Sequence, residues 1–132
     1  MKKPLLVFIY SFILWSWGFC ESVTFSDPVF ESAVRDSLWW HGVDGTSNLT
    51  SQDLEQVNSL ELDSDTLSNL ADLRQLPNLQ YLYLDDASGV SDFSPLWELN
   101  ASLVVLEISM ALPSILSGLP DMQNLQSLGL EN

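Results

Sequence analysis

The chain repeats one short pattern of leucines, and that repeat limits its fold more than any other feature. Leu79-Gln-Tyr-Leu82-Tyr-Leu84 recurs as Val57-Asn-Ser-Leu60-Glu-Leu62, as Leu103-Val-Val-Leu106-Glu-Ile108 and as Leu125-Gln-Ser-Leu128-Gly-Leu130, with starts 22, 24 and 22 residues apart. In L-x-x-L-x-L the last two aliphatic residues are separated by one position, as a strand with one buried and one wet face requires. The first sits on the incoming turn. Self-similarity at a period of 20–50 residues is the mark of a solenoid, in which each unit buries its apolar face only by stacking on the next. The expected fold is therefore an α/β solenoid: a short right-handed coil whose strands form a parallel sheet on the concave face.

The return half of each coil follows another period. Leu67, Leu70, Leu73 and Leu76 recur every three residues, as do Phe93, Leu96 and Leu99, and Leu116, Leu119 and Met122. A spacing of three suits 3₁₀ turns, which keep every third side chain on one side, whereas an α-helix drifts off such a stripe within two turns. The convex side is expected to be 3₁₀ or irregular, with Pro77, Pro95, Pro113 and Pro120 in connections where a missing N–H does no harm. Ahead of the repeats, Asp27 is a good helix N-cap and Pro28 fits the first helical position. Val29, Phe30, Ala33, Val34 and Leu38 then recur at helical spacing. Thr50 with Asp53 resembles a capping box for a second short helix. These apolar residues, with Leu54, are expected to pack onto Leu60 and Leu62 and keep the first coil from water.

The repeats resemble leucine-rich repeats, in particular the 22-residue repeats of the internalin family of bacterial surface proteins. Residues 23–38 resemble that family's first cap helix, and 49–54 the turn into its second. The expected division of the chain is a signal peptide at 1–20, a helical cap at 21–56 and about three and a half repeats at 57–132, the resemblance covering about residues 23–132. The resemblance implies an exported module for binding another protein. Two departures stand out. Leucine-rich repeats usually carry an Asn three residues after the last strand leucine, where this chain has Asp65, Ala87 and Ala111, so the usual asparagine ladder is expected to be missing or replaced. Two extra residues around 87–90 are expected to bulge as a loop beside the sheet. The fourth strand, at 125–132, has no return coil or cap after it, which points to a fragment of a longer protein or to cover by a partner or second copy.

Residues 1–20 have the layout of a secretory signal: a basic start at Met1–Lys3, an apolar run from Leu5 to Trp17, and small residues before a cut. The run is shorter than the roughly 20 residues a spanning helix needs. Cys20, the only cysteine, offers the one route to a membrane, through a lipid. Its preceding residue, Phe19, departs from the small residue usual in lipoprotein signals. After cleavage, eighteen carboxylates face only Arg35 and Arg74, a formal charge of −16. Nucleic acid is excluded as a partner, since nothing here replaces the counterions of its phosphates. A domain with this much self-repulsion is predicted to melt at rising temperature as salt is added; a melting temperature flat across ionic strength is the contrary result.

Function is expected on the concave face, where the non-leucine strand positions point. These are Ser59, Glu61 and Asp63; Tyr81, Tyr83 and Asp85; Val105, Glu107 and Ser109; and Ser127, Gly129 and Glu131. Glu61, Asp63, Tyr81, Tyr83, Asp85, Val105 and Glu107 form the candidate ligand site. Tyrosines among carboxylates suit a basic protein or peptide, because aromatic residues dominate interface energetics and charge sets approach and partner choice. A solvated sheet face with ordinary strand-favouring tyrosines has the same composition. Catalysis is not expected: Glu61 and Glu107 would stand about 9–10 Å apart, but four short coils offer no apolar pocket to raise one pKa. His41, the sole histidine, lies beside Trp39 and Trp40 as a loop or cap residue. No cofactor is called for. Asp63, Asp65, Asp85 and Asp86 supply oxygens of the kind calcium takes, without the glycine-anchored loop of a dedicated site. The sequons Asn48-Leu-Thr50 and Asn100-Ala-Ser102 would matter only in a eukaryote, which the cap argues against.

Overall fold

In the computed structural model, which describes residues 21–63, 66–109, 119 and 122–131, the L-x-x-L-x-L segments become four parallel strands in chain order. They are β1 (Ser59–Asp63), β2 (Tyr81–Asp85), β3 (Val105–Ser109) and β4 (Ser127–Glu131). Leu60, Leu82, Leu106 and Leu128 share one row of the register, and Leu62, Leu84, Ile108 and Leu130 share another. Strand entry is set the same way each time: the amides of Gln80 and Tyr81 both donate to the Asn58 carbonyl, those of Val104 and Val105 to Gln80, and those of Gln126 and Ser127 to Val104. A repeated backbone pattern of this kind keeps a one-residue slip from turning every leucine outward.

Behind the sheet, Leu67, Leu70, Leu73, Leu76, Phe93, Leu96 and Leu99 are all buried with the strand leucines in one cluster. Their three-residue spacing becomes a 3₁₀ turn at Ala71–Gln75, as expected, but a single α-helical turn, here α3, at Ser94–Trp97. Pro95 sits in that first turn, where its missing N–H would have had no helical partner. Leu116, Pro113, Pro120, Asp65 and Ala111 lie outside the described residues, as do residues 1–20 with Cys20.

The cap follows its sequence signals closely. Helix α1 (Pro28–Leu38) begins where the Asp27 carboxylate accepts the Val29 amide at 2.9 Å. It gives way to a 3₁₀ turn, Trp39–His41, closed by Gly42 at φ +77°, a left-handed conformation that suits glycine. Phe30, Val34 and Leu38 are buried beside Leu60 and Leu62; Ala33 packs against the same cluster from a half-buried position, and Val29 is half-buried. Helix α2 (Ser51–Leu54) carries a full capping box, with Thr50 Oγ1 accepting the Asp53 amide and Asp53 accepting the Thr50 amide. Arg35 pairs with Glu31 one turn back and also donates to the Gly45 and Ser47 carbonyls, tying the 42–48 loop to α1.

Three features differ from the sequence reading or were absent from it. The asparagine ladder is replaced at a different position: Asn78 and Asn124, each just before the first leucine of its repeat, donate at 2.8 Å to the Glu55 and Ala101 carbonyls one coil back. Residues 87–90 do not bulge. Ala87–Gly89 is a 3₁₀ turn with Ala87 and Val90 fully buried, because both side chains are apolar and small enough to fill the coil interior. Asp86 makes the corner at φ +55°, a conformation Asp tolerates through local hydrogen bonds, here to the Ser88 amide and hydroxyl.

The third feature is Asp72, one of two buried polar or charged residues among those described, the other being Asp27. Its Oδ2 accepts from the Ser26 amide (2.8 Å), the Ser26 hydroxyl (2.9 Å) and the Asp27 amide (3.1 Å), while Oδ1 accepts from Gln75 Nε2 (3.0 Å). A side chain from the first convex turn thus holds the residues that start α1. Cap and solenoid are joined by this contact as well as by apolar packing.

Candidate functional site

The strand register arranges the concave face into rows. The central one reads Glu61, Tyr83, Glu107, Gly129; beside it lie Ser59, Tyr81, Val105, Ser127. Alternation along each strand makes this inevitable once the leucines are buried, since odd and even side chains leave opposite faces. Tyr83 is therefore flanked by a carboxylate on each neighbouring strand. Tyr81 is 39% exposed, Tyr83 is half-buried, and Glu61, Asp63 and Glu107 are exposed; Val105 is half-buried.

Asp85 is less free than its position suggests. Its Oδ1 accepts from the Ser109 hydroxyl, and the same hydroxyl oxygen accepts the Asp86 amide at 2.9 Å. Asp85 therefore acts as a tie between coils as well as a member of the face. Gly129 adds something the sequence reading passed over. Lacking a side chain, it leaves room for Glu107: a Cβ there would lie 3.1 Å from Glu107 Cγ. Tyr83, Asp85, Glu107, Ser109, Gly129 and Glu131 together line a shallow depression of about 400 Å³. The signal for it was a glycine standing where the other repeats carry a tyrosine or glutamate.

Glu61 and Glu107 have Tyr83 between them in the register and stand on an open surface. Four ionisable groups away from the concave rows are shifted by their neighbours. The Arg74 guanidinium, 2.8 Å from Glu98 on the convex side, holds the Glu98 carboxyl low and is itself raised; Ser94 lowers Asp92, and Thr46 lowers Asp44. A lowered carboxyl contributes stability that is present above its ordinary pKa and lost as pH falls through its folded value. The carboxyl resonances of Asp44, Asp92 and Glu98 are thus expected to titrate below the usual carboxylate range, and Arg74→Gln to return Glu98 toward it.

Among the described residues no group of three or more His, Cys, Asp or Glu side chains could hold a metal ion. Asp86 turns back on Ser88 and Asp85 on Ser109, while Asp65 is outside the described residues. His41 is exposed at the end of the cap helix. No described helix is long and apolar enough to cross a membrane.

A helical cap followed by in-register parallel strands and short convex turns is the leucine-rich-repeat fold. One solved structure shares the fold: the chain aligns with an internalin, InlF, from Listeria monocytogenes at a TM-score of 0.57 and 24% identity, over 79% of this chain and 29% of that one. It also aligns with the internalin InlC2 of the same species at a TM-score of 0.38 and 18% identity, over 85% of this chain and 71% of that one. The match to InlF supports a resemblance to internalin leucine-rich repeats at the level of the fold. No protein-family model matches the chain, and no curated protein matches it significantly.

Proposed function

We propose that this is an exported interaction module that binds a basic protein or peptide on its concave face. The observation that carries the reading is the register itself: Tyr81 and Tyr83 stand side by side with Glu61, Asp63, Asp85 and Glu107 on one open surface. Rigid aromatic side chains give contact area at low entropic cost, and the surrounding carboxylates favour a cationic partner and speed its approach. Export rests on the signal-like residues 1–20. Replacing Tyr81, Tyr83 and Asp85 together by alanine is expected to abolish capture of ligands found by screening the wild-type chain against cationic peptides; capture at wild-type strength excludes this face.

A second reading is favoured by Leu128 and Leu130, which are 41% and 42% exposed although they occupy core positions of the repeat. In it the segment is the cap-proximal part of a larger surface protein, and ligand contact is made by other coils. In that case the triple variant binds as the wild type does.

A further inference from the structure

A second recess lies at the other edge of the sheet, where β1 faces the cap helix. It is a groove of about 670 Å³ with one wall from α1 and the 3₁₀ turn after it, including Ala33, Asp36 and Trp40, and the other from β1, including Ser59, Glu61 and Asp63. Ala33 and Asp36 lie one turn apart on α1, and Trp40, in the 3₁₀ turn that follows, extends the same wall. Trp40 is 89% exposed.

The β1 side of the groove is backbone that no described strand pairs. β1 has a single partner, β2. The Tyr81 amide donates to the Asn58 carbonyl, which sets the phase of the parallel ladder: the polar groups of Asn58, Leu60 and Leu62 face β2. Those of Ser59, Glu61 and Asp63 then face the groove. Such an edge is a ready template for another strand. Its side-chain environment is acidic, with Asp36, Glu61 and Asp63 and no lysine or arginine among the lining residues. Carboxylates on an edge deter neutral and acidic strands, including a second copy of this acidic chain, and so select a basic one.

We infer that this groove takes an extended basic segment of a partner protein, which adds to the sheet as a fifth strand alongside β1. Main-chain hydrogen bonds to Ser59, Glu61 and Asp63 supply the pairing. Alternate lysine or arginine side chains then stand on the concave face beside Glu61 and Asp63, where opposite charges on neighbouring strands attract. A further cationic side chain reaches the face of Trp40. The inference takes the basic nature of the partner from the acidic concave face proposed above, but places its backbone at the sheet edge.

The test uses a fluorescent, end-blocked peptide of alternating lysine and threonine, about ten residues long, titrated against the protein by anisotropy. Two further peptides carry N-methyl groups on every lysine or on every threonine, which keeps the charge but removes one edge of donors. The expected result is binding of the parent, with one methylated peptide weakened about tenfold or more. Ser59→Pro, which removes a groove-facing N–H at the first position of the edge strand, where proline is tolerated, is expected to weaken binding to a similar degree. Equal binding of all three peptides overturns the inference, and because it needs only the wild-type protein it decides the matter even if Ser59→Pro does not fold. The Tyr81, Tyr83 and Asp85 alanine variant separates the two readings. Loss of binding there, with Ser59→Pro and both methylated peptides behaving normally, keeps the concave site and removes the edge. The reverse pattern keeps the edge and removes the concave site.

Discussion

Leu82→Ala is expected to lower the free energy of unfolding by about 3–4 kcal/mol, while Leu128→Ala, at the same position of its repeat, costs about 1–2 kcal/mol. Both leucines lie in one row of the sheet, but Leu82 is fully buried and Leu128 is 41% exposed. Truncating Leu82 removes its transfer energy and leaves a cavity between Leu60 and Leu106, which the neighbouring coils cannot collapse without breaking register. Leu128 has solvent on one side and leaves no closed void. Denaturant titrations of the two variants provide the measurement. Equal losses would mean that the stack does not have the interior described here, or that β4 is covered in solution.

The second large effect is expected at Asp72. Asp72→Ala should cost about 2–4 kcal/mol, because it strands the Ser26 and Asp27 amides and loses hydrogen bonds to a charged acceptor. Asp72→Asn keeps one carbonyl oxygen but turns an NH₂ group toward donors, and is expected to recover only part of the loss. Since the contact joins the start of α1 to the first convex turn, amide exchange should quicken throughout α1 while β3 changes little. A double-mutant cycle with Ser26→Ala gives the direct check: Ser26→Ala is expected to cost about 1 kcal/mol in the wild type and almost nothing once Asp72 is alanine. Independent, additive losses would show that Asp72 does not dock the cap.

Local rules were enough for much of this molecule. The Asp27 cap, the Thr50–Asp53 box and the pairing of Leu60 with Leu82 and Leu106 all follow from contacts within a few residues or from the alternation of a strand. The concave rows were legible for the same reason, since burying one set of leucines turns the intervening residues outward. Asp72 had no such signal: it sits among leucines at 3₁₀ spacing, and its partners at Ser26 and Asp27 are about two coils away in sequence. Asn78 and Asn124 were hidden differently. Leucine-rich repeats usually carry their asparagine after the strand, and these two stand before it, where the repeat spacing does not point to a tether. Residues 87–90 read as a loop by length, yet Ala87 and Val90 find space inside the coil.

By itself, then, the order of residues determined the period, the strands, the caps and the outward face, because each depends on near neighbours along the chain and on where apolar side chains fall. Only the stacked structure decided which polar groups became tethers between coils, that Asp85 is held by Ser109, and that a groove opens between α1 and β1. Those outcomes depend on which atoms lie opposite one another a coil or more away, and a hydrogen bond or a cavity exists only once that distance has been set.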